Sequence, residues 1–234
     1  MANARNLIVT YVLHFMGVGV TLPFLPVYYD WLHIPPEQIG VLLSVGPFCA
    51  LLAPPLWGQL ADRTGRPGLI LLVISMGSLA GFGLLLGAAR FETVLACLLL
   101  FSFFNAATTT LIDSLALGHV ERHGGSFASI RTFGSLGFVV STLVFGFVVD
   151  RADQRVVIAA LGLSLVNAAF IGTTLARAPA HRRPGPSPDL RSVRAVLANP
   201  QVRWLLLASC THWIARAPDH GSLGLYFGAL HFEP

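Results

Sequence analysis

Four stretches of this chain, Leu7–Tyr29, Ile39–Ala61, Leu69–Ala89 and Val156–Ala176, contain no Asp, Glu, Lys or Arg. Each reaches the roughly 20 residues a helix needs to cross about 30 Å of hydrocarbon. Two further runs complete the set: Thr93–Ile112, and Ser126–Val149, which is interrupted only by Arg131. Composition agrees. The chain is 54% hydrophobic and 11% charged, against roughly 25% charged for soluble domains, and a fold in water could not bury that much apolar surface. The expected class is an all-α, polytopic membrane helix bundle.

All fifteen basic residues are Arg, and there is no Lys. A P-loop needs its Lys against nucleotide phosphates and a retinal photoreceptor needs one for its Schiff base, so ATP-driven pumping by this chain and light sensing are excluded. The net charge of +4 reads as membrane topology. The Arg residues lie between apolar runs and form no basic, aromatic-interleaved face, so nucleic acid is not expected as a partner. Cys49, Cys97 and Cys210 lie in apolar stretches without a CxxC pair and read as small hydrophobes; neither a metal nor a cofactor is expected. The apolar run after Met1–Asn6 is too long for a signal-peptide core and lacks a clear cleavage site, so the first span should be retained.

After the sixth span, residues 177–200 are rich in Pro and Arg and read as a solvated linker. A seventh apolar stretch, Trp204 to about Leu230, is broken by Arg216, Pro218, Asp219 and His220. The expected organisation is a six-helix bundle over 1–176, a linker over 177–200 and the start of a seventh helix over 201–234.

With the amino terminus inside, the inner loops hold Arg5, Arg63, Arg66, Arg122, Arg177, Arg182, Arg183, Arg191, Arg194 and Arg203. The outer loops hold only Arg90, Arg151 and Arg155, diluted by acids. The positive-inside rule therefore predicts a cytoplasmic amino terminus and linker. Gly58-x-x-x-Asp62-Arg63 closes the second span, and Gly146-x-x-x-Asp150-Arg151 closes the fifth at the same spacing. Such an echo fits two three-helix units facing opposite ways, an inverted 3+3 repeat.

Gly58 to Pro67 reads GQLADRTGRP. This resembles the signature between helices two and three of the major facilitator superfamily, G-x-L-A/S-D-R/K-x-G-R/K-R/K. It matches at Gly58, Leu60, Ala61, Asp62, Arg63, Gly65 and Arg66, and departs at Pro67, where the family usually has a second base. By its residues alone, Gly58 would allow close packing, Gly65 a tight turn, and Asp62 a contact with a helix end or an Arg. The resemblance implies that Asp62 helps hold the cytoplasmic side closed against helices that include one of a second six-helix half. Six spans, a linker and a seventh helix then fit the front of a twelve-helix carrier, so an ending at Pro234 reads as a truncation. Leu22–Tyr28 and Arg131–Phe138 resemble, within the superfamily, the phenylpropionate permease and nucleoside/proton symporter group.

Inside the membrane, Asp113 and Arg131 fall on consecutive spans at matching depth, one to two turns from the same end. An unpaired charge near the bilayer centre costs roughly 2.5–3.5 kcal/mol on insertion scales, so the two should pair. That pair reads either as a gate or proton-coupling element or as a structural ion pair. Together with Gly58, Asp62, Arg63, Gly65 and Arg66, it forms the expected gating set. His212, Arg216 and Asp219 share a helical face in the seventh stretch. With His14, Asn105 and Ser135 they are the candidates for substrate or proton contact, although a lone His and scattered Asn, Ser and Thr more often hydrogen-bond between membrane helices.

The function implied by the resemblance is secondary active transport, not enzymatic catalysis. It would be proton-coupled uptake of a small organic solute across an inner membrane, with the lipid bilayer, the proton, and a C-terminal half or second copy as partners. An efflux antiporter of the same fold and a seven-helix receptor or scaffold are the alternatives. The efflux reading is weakened by the lack of an Arg inside the fourth span and of a Gly-Pro signature in the fifth.

Overall fold

A computed structural model describes residues 3–148, 154–176, 198–204, 207–208 and 211. Among these lie seven helices: α1 (Ala4–Trp31), α2 (Pro36–Thr64), α3 (Pro67–Leu85), α4 (Phe91–Asn105), α5 (Thr108–His123), α6 (Phe127–Val148) and α7 (Gln154–Thr173). No strand occurs among the described residues. Six spans among the described residues are long and apolar enough to cross a membrane, α4 and α5 forming one of them, Phe91–His123. Ala106 and Ala107 between them keep right-handed helical backbone, so the rod continues through the break.

The hydropathy reading ended the fourth span at Ile112; the helix runs on to His123. Backbone hydrogen bonds propagate a helix regardless of what surrounds it, whereas an apolar run marks only the part suited to lipid. Asp113 accordingly lies ten residues from the helix end rather than one to two turns.

Proline sets several boundaries. Pro36 and Pro67 open α2 and α3 in the first helical turn, where a missing N–H costs nothing. Pro67, the position at which the loop signature departs, therefore has a local role in starting α3. Gly65 ends α2 with φ 63° and ψ 17°, the left-handed conformation that glycine adopts without steric penalty. Pro23 and Pro26 lie inside α1. Pro23 cannot donate to the Gly19 carbonyl four residues back, and the Thr142 hydroxyl of α6 donates to that carbonyl instead at 2.9 Å. Such re-satisfaction by a neighbouring helix is what lets a spanning helix carry an interior proline.

The packing follows a two-fold pattern. α1 packs against α6, as α4 packs against α2; α1 packs against α7, as α4 packs against α3; and α3 meets α7. Exchanging the first three spans for the second three converts each of these contacts into its counterpart. That is the arrangement expected of an inverted repeat. Glycine permits the closest approaches. A side chain at Gly19 would strike Ser141 and the Phe138 carbonyl of α6, and one at Gly81 would strike the Phe101 backbone of α4. Small residues at helix crossings are the usual means of packing without a hydrophobic driving force. Of the four glycines in and just after α3, Gly77 and Gly81 meet α4, whereas Gly83 and Gly87 have ordinary space.

The chain divides into two compact units, Met1–Arg182 and Arg183–Pro234. The second has helical residues at 200–204. Residues 177–197 of the 177–200 linker, the Asp150–Arg151 echo, Cys210 and the stretch with His212, Arg216, Asp219 and His220 lie outside the described residues.

Candidate functional site

The first unit carries a polar seam between α1 and α5. α1 places Tyr11 and His14 one turn apart on a single face, and α5 places Thr109 and Asp113 likewise. The Tyr11 hydroxyl donates to Asp113 Oδ1 at 2.5 Å. Arg131 of α6 donates through Nη1 to the other carboxylate oxygen, Oδ2, at 3.0 Å. One carboxylate thus ties three helices together. The expected Asp113–Arg131 pair is formed, with Asp113 24% and Arg131 48% exposed at the side chain. The Arg131 guanidinium also lies 6.0 Å from the Phe127 ring centroid, within reach of a cation–π contact.

One turn along the seam, His14 Nε2 and Thr109 Oγ1 are 3.0 Å apart. His14 is 8% exposed, and Tyr11 is fully buried. Beyond this contact α1, α3, α4, α5 and α7 line a cavity of about 40 Å³. His14, Asn105, Thr108 and Asn167 are among its lining residues. Two of the candidate contact residues, His14 and Asn105, are therefore brought together. Ser135 is not at the cavity; it is exposed on α6, four residues after Arg131 and on the same face.

In the loop signature, Asp62, Arg63 and Arg66 are exposed. The Asp62 carboxylate has no hydrogen-bond or ion-pair partner among the described residues. A side chain at Gly58 would meet nothing within 4 Å, so that glycine is not held by packing inside this unit. Sequence reasoning missed Tyr11 and Asn167. An aromatic in an apolar run gives no sign of a hydroxyl partner 102 residues away; an Asn in the sixth span was open to notice as a polar group at membrane depth. No cluster of metal-ligating side chains occurs among the described residues.

The profile of the MFS_1 like family matches residues 4–231. The maltose permease of Geobacillus stearothermophilus is 37% identical over 202 residues, covering 85% of this chain and 50% of the permease. The probable 3-phenylpropionic acid transporter of Escherichia coli (strain K12) is 27% identical over 239 residues, covering 100% of this chain and 62% of that protein. A mutant form of the nucleoside transporter NupG has a similar fold, with a TM-score of 0.76 at 19% identity over 87% of this chain and 53% of its own. The chain thus spans about half the length of the relatives it matches.

Proposed function

Since this chain belongs to the MFS_1 like family, whose relatives here are multi-pass membrane transporters and not enzymes, we propose that its six-helix unit is one of the two rocking bundles of a proton-coupled carrier that takes up a small organic solute by alternating access. The amino terminus and the 177–200 segment face the cytoplasm of a cell whose inner membrane holds the protein. A second bundle, from a C-terminal half or a second copy, completes the solute path.

The observation that carries this reading is the Tyr11–Asp113–Arg131 network. Its carboxylate is shared between a phenol and a guanidinium on separate helices. Protonating Asp113 would remove half of the ion pair and loosen α1, α5 and α6 together, so proton binding is tied to helix packing. The exposed Asp62, Arg63 and Arg66 beside the Gly65 turn are free to meet the second bundle and close that end. His14, Asn105 and Ser135 are proposed to contact solute or proton, as are His212, Arg216 and Asp219 of the seventh stretch.

The solute class follows the relatives: a sugar first, because the maltose permease is 37% identical, then an aromatic acid. A second reading is efflux, favoured by the multidrug resistance protein MdtG of Salmonella paratyphi A, 30% identical over 64% of this chain. Inside-out and right-side-out membrane vesicles from cells expressing the protein from its own gene distinguish the two. Maltose or 3-phenylpropionate accumulating in right-side-out vesicles with an inward proton gradient, and lost on adding a protonophore, supports uptake. Accumulation only in inside-out vesicles would replace uptake with efflux, and accumulation indifferent to the protonophore would remove the proton.

A further inference from the structure

The cavity behind His14 holds a buried oxygen that no protein group answers. Ser75 Oγ donates to the Leu71 carbonyl at 2.7 Å, Ser78 Oγ to the Phe101 carbonyl at 3.5 Å, and Thr21 Oγ1 to the Gly17 carbonyl at 3.0 Å. All three hydroxyls line the cavity. A hydroxyl has one proton to give, so these groups retain only lone pairs for a guest. Asn167, a fourth lining residue, is 6% exposed, and its Oδ1 has no hydrogen-bond partner. Buried polar oxygens without a donor are rare, because leaving one dry costs most of its desolvation. Asn105, Thr108 and Ser164 also line the cavity, yet no protein donor reaches Asn167 Oδ1.

We propose that this cavity is a water-binding site within the six-helix unit, holding one to a few ordered waters that donate to Asn167 and the spent hydroxyls. The volume of about 40 Å³ exceeds the roughly 10–15 Å³ needed to admit one water, and the lining supplies the two to four polar partners such a water uses. Water suits such a wall because it brings two protons for Asn167 Oδ1 and the spent hydroxyls, and lone pairs for the remaining donors. A metal cation also suits oxygen acceptors, but no carboxylate lines the cavity, and an ion stripped of its hydration there would lack a counter-charge. The same water reaches His14. Its Nε2 is engaged by Thr109, and its Nδ1 has no hydrogen-bond partner among the described residues, so water completes the hydration of an imidazole otherwise enclosed by helices.

The site is tested by pulsed hydroxyl-radical footprinting of the full chain in lipid nanodiscs, with radicals formed from water in place. Phe101, at the cavity wall, is expected to be labelled at least threefold faster in the wild type than in Asn167→Leu, while exposed Trp31 is labelled equally in both. Equal Phe101 labelling would overturn the proposal. Melting gives an independent arm. Replacing a hydrated Asn by Leu should lower the melting temperature; a rise would mean that Oδ1 was dry and the cavity empty. If Asn167→Leu fails to fold, Ser78→Ala, which removes one acceptor, is expected to slow Phe101 labelling in the same direction, and unchanged labelling would count against the site. A melting temperature that sodium raises over choline in the wild type, but not in the variant, would identify a cation as the guest and overturn water.

Discussion

At the scale of single residues, the shared carboxylate of Asp113 is the most exposed to test. Removing one partner of a buried pair typically costs about 3–5 kcal/mol because it strands a charge, and the half-exposed Arg131 reduces that toward about 1–3 kcal/mol here. Asp113→Asn and Arg131→Gln should therefore each lower the melting temperature more than the double substitution does. Additive losses across the four proteins would refute coupling. Tyr11→Phe removes a hydrogen bond to a charged group, of the kind worth about 1.5–3 kcal/mol, and should destabilise the wild type more than it does Asp113→Asn, whose amide oxygen accepts only a neutral bond worth about 0.5–1.5 kcal/mol. The pairing of Asp113 with Arg131 was legible in the sequence because charge is rare at membrane depth and has to be answered. The partner of Tyr11 was not, because partners are set by which helix faces meet, and no local pattern encodes that.

At the scale of helices, the proline in α1 and the threonine in α6 act as a unit. Thr142→Val leaves the Gly19 carbonyl without a donor. Interhelical hydrogen bonds in membranes average about 0.6 kcal/mol, with upper values near 1.7, and the loss should fall in that range. Pro23→Ala restores an N–H within α1. In the Pro23→Ala background the same Thr142→Val change is expected to cost much less, and equal costs in both backgrounds would show that the carbonyl is satisfied in another way. Gly81→Val should separate α3 from α4, since its side chain would meet the Phe101 backbone, whereas Gly83→Ala should be nearly silent. A run such as Gly77, Gly81, Gly83 and Gly87 announces close packing somewhere in the helix. Which members carry it depends on the crossing point, and that is a tertiary property.

At the scale of the molecule, the six spans were readable from apolar run lengths because hydrocarbon thickness fixes how many residues a helix must supply. Their ends were less so, as α5 shows by continuing past Ile112. The two-fold exchange of contacts was hinted at by the Gly58 and Gly146 echoes, but only the packing of α1 on α6 and α4 on α2 gives it substance. Orientation rests on Arg counts. Reporter fusions in the loops at residues 65–66 and 124–126 are expected to read cytoplasmic, and fusions at 86–90 periplasmic; the reverse pattern would invert the proposed topology.

The rod Phe91–His123 has 33 residues, about 50 Å at 1.5 Å per residue, well beyond the hydrocarbon it must cross. Its surplus gives the protein a dependence on lipid acyl-chain length. Asp113 lies about 15 Å from the rod's end, near the depth at which acyl chains give way to headgroups, so thickening the bilayer would draw the Asp113–Arg131 pair into hydrocarbon and thinning it would leave the pair in the wetter layer. A stranded Arg131 is costlier in the first setting than in the second. In nanodiscs of increasing phosphatidylcholine chain length, the melting deficit of Asp113→Asn should widen, and a deficit indifferent to chain length would place the pair outside the membrane's reach. Hydrophobic mismatch would then set the strength of the network that joins α1, α5 and α6, making the carrier's rigidity a property of the membrane that houses it.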